Sequence, residues 1–205
     1  MKHPILYLAS GSATRQKLLK DAHISFRLLR QDADESVCDW NLSLNEVVQN
    51  IARHKMNHVI LPGLAEQGDR IIVITADTLV QSHAGICGKP GTQNAARLML
   101  QDLRRGPVQV ATGMCCELKE YCAGVWKPID RREEVVTSTC RVDIADAWID
   151  CYLGKVPYAV AIAGALSVEG YGAQFIREIN GSYTGILGLP MCELRMILQD
   201  MGFVG

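Results

Sequence analysis

The run Ile71-Ile72-Val73-Ile74-Thr75 constrains the fold more than any other stretch of the chain. β-Branched side chains favour a strand, and a strand with no polar side to turn to water must be buried on both faces. That is the position of a central strand in a sheet covered by helices on each side, as in α/β proteins. The run passes into Ala76-Asp77-Thr78, which predicts a carboxylate at the carboxyl end of the central strand. Ligands bind there in open α/β sheets, and an unpaired buried charge would be costly. Metal binding is the use this placement suggests for Asp77.

A second apolar strand, Ile5-Leu6-Tyr7, leads into Leu8-Ala9-Ser10-Gly11-Ser12-Ala13-Thr14-Arg15-Gln16-Lys17-Leu18-Leu19. Strand, tight small-residue loop and helix in that order make an anion site: the first helical N–H groups lack intrahelical partners, and Arg15 adds a fork of donors suited to phosphate. The stretch is neither a Walker loop nor a dinucleotide fingerprint, since both spacings are absent. An ordinary Ser N-cap on an amphipathic helix, with Leu18, Leu19 and Ala22 facing inward, accounts for the same residues.

Further along, Ser25 to Leu29 reads as a strand that runs into the acidic loop Gln31 to Ser36, ordinarily solvated surface. Ser43-Leu44-Asn45-Glu46 is a capping box opening a helix whose apolar stripe is Val47, Val48, Ile51, Ala52, Met56 and Val59. Lys55 borders that stripe, where it can either snorkel or point into a cleft. His54 and His58 are one turn apart, but no Glu lies between them in the zincin position and no third ligand is near, so they read as surface residues. Lys89, between Gly88 and Pro90, sits on a rigid loop returned toward Asp77 by a hairpin, and Thr92 caps the helix that follows, carrying Ala95, Ala96, Met99 and Leu103.

Val108 to Ala111, Met114 to Leu118, Cys122 to Lys127 and Val135 to Val142 read as separate strands, with Asp130 to Glu134 as a solvated hairpin tip. Ala145 to Leu153 reads as a helix, and Ala163 to Ala173 as an irregular, glycine-punctuated segment. Gln174 to Ile179 is a strand ending at the Asn180-Gly181 turn, Gly185 to Pro190 is a loop, and Met191 to Met201 is a closing helix.

At 205 residues the chain has room for one good core, and the expectation is a single domain over 1–205 with a smaller lobe. The net charge of -1 excludes a basic footprint for nucleic acid or an anionic membrane surface. No apolar run approaches the roughly 18 residues of a spanning helix and no signal-peptide pattern opens the chain, so a cytoplasmic location is expected. The eight cysteines are scattered, with no Cys-x-x-Cys pair, and read as reduced, mostly buried thiols.

A phosphate-cradling loop, a carboxylate on a central strand, a second acidic residue and two lysines are the inventory for metal-assisted cleavage of a phosphoanhydride. At this point the chain resembles a known family. Leu8-Ala9-Ser10-Gly11-Ser12-x-x-Arg15-x-x-Leu18-Leu19, Ala76-Asp77-Thr78, Gly88-Lys89-Pro90, Thr112-Gly113, Glu169-Gly170-x-Gly172-Ala173 and Ile179-Asn180-Gly181-Ser182-Tyr183 through Gly188-Leu189-Pro190 are similar, in order, to the motifs of the Maf nucleoside triphosphate pyrophosphatases. The resemblance implies an α/β fold with a mixed sheet and two lobes around a central cleft, as in the inosine triphosphate pyrophosphatases, and commonly a homodimer. It implies hydrolysis of a nucleoside triphosphate to the monophosphate and pyrophosphate with magnesium or manganese, a house-cleaning activity in nucleotide metabolism. Carried over, Ser10, Ser12 and Arg15 hold phosphate, Glu35 and Asp77 serve metal and water, Lys55 and Lys89 neutralise phosphate charge, and Asp77 is the favoured base.

The chain also departs from the family pattern. Ala13-Thr14 stands where Pro followed by Arg or Trp is usual, and Ala161-Ile162 where Asp-Lys precedes Ala-Gly-Ala. The pyrimidine-preferring branch has Gln at the position of Glu169, whereas the 7-methylguanosine-preferring branch has Glu there and Trp at the position of Thr14. The chain therefore resembles a third, divergent branch, with Thr14 and Glu169 as substrate-binding candidates and a guanine-type or 7-methyl-GTP preference as the expectation. The rival reading is a nucleotide-binding regulator of septum formation without turnover. The intact Glu35, Asp77, Lys55 and Lys89 set weighs against it, because a pure binder would not need both carboxylates.

Overall fold

The computed structural model describes residues 3–203. Its strands form a mixed seven-stranded sheet in the order β2-β1-β3-β5-β6-β7, with β4 paired to β3. The chain divides into two compact units, one of Met1–Asp77, Thr112–Val135 and Leu187–Gly205, the other of Thr78–Ala111 and Val136–Ile186. Among the described residues no helix is long and apolar enough to cross a membrane.

In the first unit, β1 (Ile5–Leu8) runs parallel to both β2 (Arg27–Leu28) and β3 (Arg70–Ser82), with Leu8 opposite Leu28 and Ile74. Side chains alternate across a strand, so the two faces of β3 carry different partners. Ile72, Ile74 and Ala76 pack with Leu19 of α1 (Ala13–Asp21) and with Leu194 and Leu198 of α6 (Met191–Asp200). Ile71 and Val73 pack with Ala52 and Met56 of α2 (Leu44–Asn57). Both faces are covered, as the uninterrupted apolar run requires.

In the second unit, β3 turns into β4 (Gly85–Cys87), Val80 opposite Cys87. β7 (Ile176–Asn180) pairs antiparallel with the end of β6 (Val125–Val142). Leu100 of α3 (Gln93–Leu103), Ile149 and Tyr152 of α4 (Asp146–Lys155) and Phe175 share one core.

Several expectations from the sequence change. β3 does not end at Asp77 but continues to Ser82, so Asp77 lies within a 13-residue strand and not at its carboxyl end. The strand expected over Ser25 to Leu29 shrinks to two exposed residues, Arg27 and Leu28. Val108 to Leu118 is not broken at Thr112-Gly113, because β5 (Val108–Cys122) is continuous. Gly113 is a point of close approach: a Cβ there would lie 2.5 Å from the Val48 carbonyl oxygen of α2. The Asp130 to Glu134 run is not a hairpin tip but part of β6; the turn falls at Ala123-Gly124, both at positive φ (54° and 83°), as a two-residue hairpin turn demands. Tyr183–Ile186 forms a single helical turn, α5, ahead of the remaining loop. All eight thiols are free, but only Cys115, Cys116 and Cys140 are buried.

Candidate active site

Ser12 is the N-cap of α1, extended at ψ 117°, and its hydroxyl accepts from the Arg15 N–H at 3.4 Å. Ser10 Oγ accepts from the Ser12 N–H at 3.3 Å and from Arg15 Nη1 at 3.1 Å. Arg15 does not extend into solvent: it is buried, and its Nε donates to the Gly188 carbonyl at 2.6 Å. Gly188 adopts φ 100°, a conformation open to glycine, while the neighbouring Leu189 is anchored in the core. The helix start, two hydroxyls and a fixed guanidinium thus gather in one place, a donor set whose chemistry suits an anion. Burial pulls the Arg15 pKa down, the negative charges of Asp77 and Glu35 pull it back up, and the guanidinium stays charged.

The cationic and acidic residues meet through α2. Its capping box is present as read, with the Ser43 N–H donating to Glu46 Oε2 at 3.0 Å and the Glu46 N–H to Ser43 Oγ at 3.5 Å. Gly113 lets the helix backbone lie against β5 at Val48. On the same face of β3 as Asp77, the Thr75 hydroxyl donates to the Ala52 carbonyl at 2.7 Å and sets the helix along the strand. Lys55, one turn beyond Ile51, is therefore brought over Asp77: its Nζ donates to Asp77 Oδ1 at 2.7 Å and lies 2.8 Å from Glu35 Oε1. Of the two alternatives for Lys55, the inward one is realised. Glu35 comes from a short 3-10 turn, Glu35–Val37, capped by Asp34, whose carboxylate accepts from the Ser36 N–H at 2.9 Å. The acidic loop therefore carries one member of an ion cluster and is not merely solvated surface.

Asp77 Oδ2 is buried without a hydrogen-bond partner. A buried carboxylate oxygen left in that state is expensive unless something arrives to use it. Among the described residues no group of three or more His, Cys, Asp and Glu side chains could hold a metal ion. Two carboxylates, one with an open oxygen, nevertheless fit a magnesium-type ion, which keeps several waters and takes its other ligands from substrate phosphates. Cys38, near these carboxylates, has its thiol pushed up by burial and by the charges of Glu35 and Asp77, so it stays protonated and is no nucleophile. His54 is partly buried and His58 exposed; their ring centroids lie 4.3 Å apart with the planes tilted by 53°.

Lys89 and Glu169 belong to the second unit. Lys89 is exposed, on a loop anchored at both sides: the Gly164 N–H donates to the Gly88 carbonyl at 3.1 Å, and the Gly91 N–H to the Val160 carbonyl at 2.9 Å. Glu169 follows a segment organised by Tyr152, whose hydroxyl donates to the Ala165 carbonyl at 3.0 Å and accepts from the Ser167 N–H at 2.9 Å. Ser167 Oγ in turn accepts from the Glu169 N–H at 3.3 Å. A Cβ at Gly172 would collide with the Ser167 carbonyl, so the backbone beside Glu169 has one arrangement. Thr14 lies in the first turn of α1, partly buried.

Two contributors carry no functional signal of their own in the sequence. Gly188 acts through its backbone carbonyl, which reaches Arg15 across 173 residues of chain. Thr75 read only as the last residue of an apolar strand, although a hydroxyl inside a strand buried on both faces is itself a signal of a buried hydrogen bond.

The helix start with its fixed guanidinium and the carboxylate–lysine cluster thus lie in one unit of an α/β protein. Residues 5–201 match the family described as Maf-like protein, and the chain belongs to that family. It is similar to the dTTP/UTP pyrophosphatase of Caldicellulosiruptor bescii, 32% identical over 97% of this chain and 95% of that one. It is also 32% identical to the dTTP/UTP pyrophosphatase of Geobacter sp. (strain M21), over the full length of both chains. Its identity with the nucleoside triphosphate pyrophosphatase of Maricaulis maris is 32%, over 95% of each.

Proposed function

We propose that this protein is a nucleoside triphosphate pyrophosphatase: water cleaves the α–β phosphoanhydride, and the products are the nucleoside monophosphate and pyrophosphate. The observation that carries this reading is Asp77, buried with Oδ1 held by Lys55 and Oδ2 without a partner, in the same unit as the helix start at Ser12 and Arg15. The names of the relatives support the same chemistry.

Ser10, Ser12 and Arg15 receive phosphate oxygens, and Lys55 and Lys89 neutralise their charge. Asp77 Oδ2 accepts a hydrogen bond from the attacking water and takes its proton. Glu35 and Asp77 are the ligands for magnesium or manganese, and the ion, when bound, supplies Lewis-acid polarisation of a phosphoryl oxygen.

Glu169 is assigned to the base. A carboxylate only accepts, and the guanine edge offers the N1–H and the exocyclic amino group side by side, whereas uracil and thymine offer one N–H between two carbonyl oxygens. Thr14 supplies no aromatic face to a cationic 7-methylguanine, a contact worth ~0.5–2 kcal/mol. The expected profile is therefore a modest guanine preference, in contrast to the dTTP/UTP named for the first relatives. Pyrophosphate release from GTP, 7-methyl-GTP, UTP, CTP and dTTP, by the wild type and Glu169→Gln, tests both parts. Guanine substrates should lead, and the variant should shift toward UTP and dTTP. Orthophosphate as the sole product would overturn the chemistry, and a ranking unmoved by the substitution would overturn the base assignment.

A further inference from the structure

The position of the Lys55 ammonium has a use beyond charge neutralisation. It lies 2.7 Å from Asp77 Oδ1 and 2.8 Å from Glu35 Oε1, so it bridges the two carboxylates assigned to the metal. We propose that Lys55 is the resting counter-ion of the divalent-cation site, and that metal enters only as the ammonium leaves Glu35 and Asp77 for the phosphates of the substrate.

A divalent ion on these oxygens would sit beside the ammonium, and like charges at such range repel strongly, the more so away from bulk water. Lys55 and Asp77 side chains are each 10% exposed, so solvent screens little of that repulsion on the Asp77 side; Glu35, at 45%, is the solvent-facing member of the cluster. Lysine also suits the exchange. Its point charge rides on a flexible stem, whereas α2 is held by Thr75 and by the backbone contact at Gly113, so the ammonium can swing while the helix stays. The incoming triphosphate offers it new anionic partners. Asp77 Oδ2, buried and unpartnered while Oδ1 is occupied, remains available to the arriving ion's shell.

The consequence is positive coupling: metal alone binds weakly, phosphate strengthens it, and by linkage the metal strengthens phosphate binding by the same factor. This inference rests on the metal-dependent reading given above.

Manganese binding to the substrate-free protein, followed by electron paramagnetic resonance, tests it without turnover. Wild type, Lys55→Met and Lys55→Arg are compared, then titrated again with inorganic tripolyphosphate present. Lys55→Met should bind manganese at least ~10-fold tighter than wild type, within the usual range of coupling between sites, and should gain less from tripolyphosphate. Lys55→Arg, which keeps the charge, should stay weak. Where Lys55→Met does not fold, Lys55→Gln, which retains a donor for Asp77, carries the same comparison. Equal manganese affinity in all the folded proteins would overturn the counter-ion role and leave the metal site standing. No binding by any of them, even with tripolyphosphate, would remove the metal reading and this inference with it.

Discussion

The first unit holds two ion clusters built on a buried carboxylate, and they differ in how completely their atoms are paired. Around Glu117 every carboxylate oxygen is engaged: Oε1 accepts from Lys119 Nζ at 2.9 Å, and Oε2 from Arg131 Nη2 at 2.7 Å and Nε at 3.1 Å. Around Lys55 the proportion is reversed, with two carboxylates to one cation, and Asp77 Oδ2 is left over. Both clusters carry a cost of desolvation, but only in the second does a buried carboxylate oxygen lack a partner from the protein.

The sharpest break of this comparison exchanges the readouts. Asp77→Asn keeps shape and removes charge, so turnover should fall at least ~100-fold while the fold persists. Glu117→Gln leaves the buried Lys119 and the exposed Arg131 short of a counter-charge and should destabilise by about 2 kcal/mol, with turnover per folded molecule near wild type. Paired kinetic and denaturant measurements check both, and loss of turnover without loss of stability in Glu117→Gln would erase the distinction.

A smaller effect is expected at Arg15, which the incomplete cluster influences electrostatically. Arg15→Ala removes charge-assisted hydrogen bonds worth about 2 kcal/mol, so KM should rise roughly 30-fold, by similar factors for every base. A base-selective loss would mean that the guanidinium has been misassigned.

The smallest effect concerns Cys115 and Cys116, which sit on β5 beside Glu117. Burial pushes the Cys115 thiol up to about 12 and raises that of Cys116 as well. An unfolded thiol ionises near pH 8.5, so above that value only the unfolded state gains by losing the proton. Stability is therefore unaffected below about pH 8.5 and falls as pH rises toward 12, by about 1.4 kcal/mol per thiol at pH 9.5. Cys116→Ala should flatten that slope in thermal melts at pH 7.5 to 10.

The sequence-readable parts were those written in local patterns. Ser43 and Glu46 announce α2, Thr92 announces α3, and the run from Ile71 to Thr75 announces a doubly covered strand; all three are present. The placements of Ser12 and Arg15 at a helix start and of Asp77 on the central strand were legible because capping chemistry and a charge in an apolar strand are local signals. What was not legible depended on distant partners. Gly113 reads as a strand break until Val48 is seen against it. Asp130 to Glu134 reads as solvated until alternation turns Arg131 toward Glu117 and Glu133 toward Arg53. Gly188 offers a backbone oxygen, which no side-chain pattern can advertise.

The contact at Gly113 also decides which part can move. With no side chain between the α2 backbone and β5, and with Thr75 pinning Ala52, helix and strand move as one plank. Rearrangement at Lys55 is then a rotamer change, slowed by burial and by two ion pairs, and not the sliding of a helix. The ammonium can change partners while the backbone that carries it keeps its place.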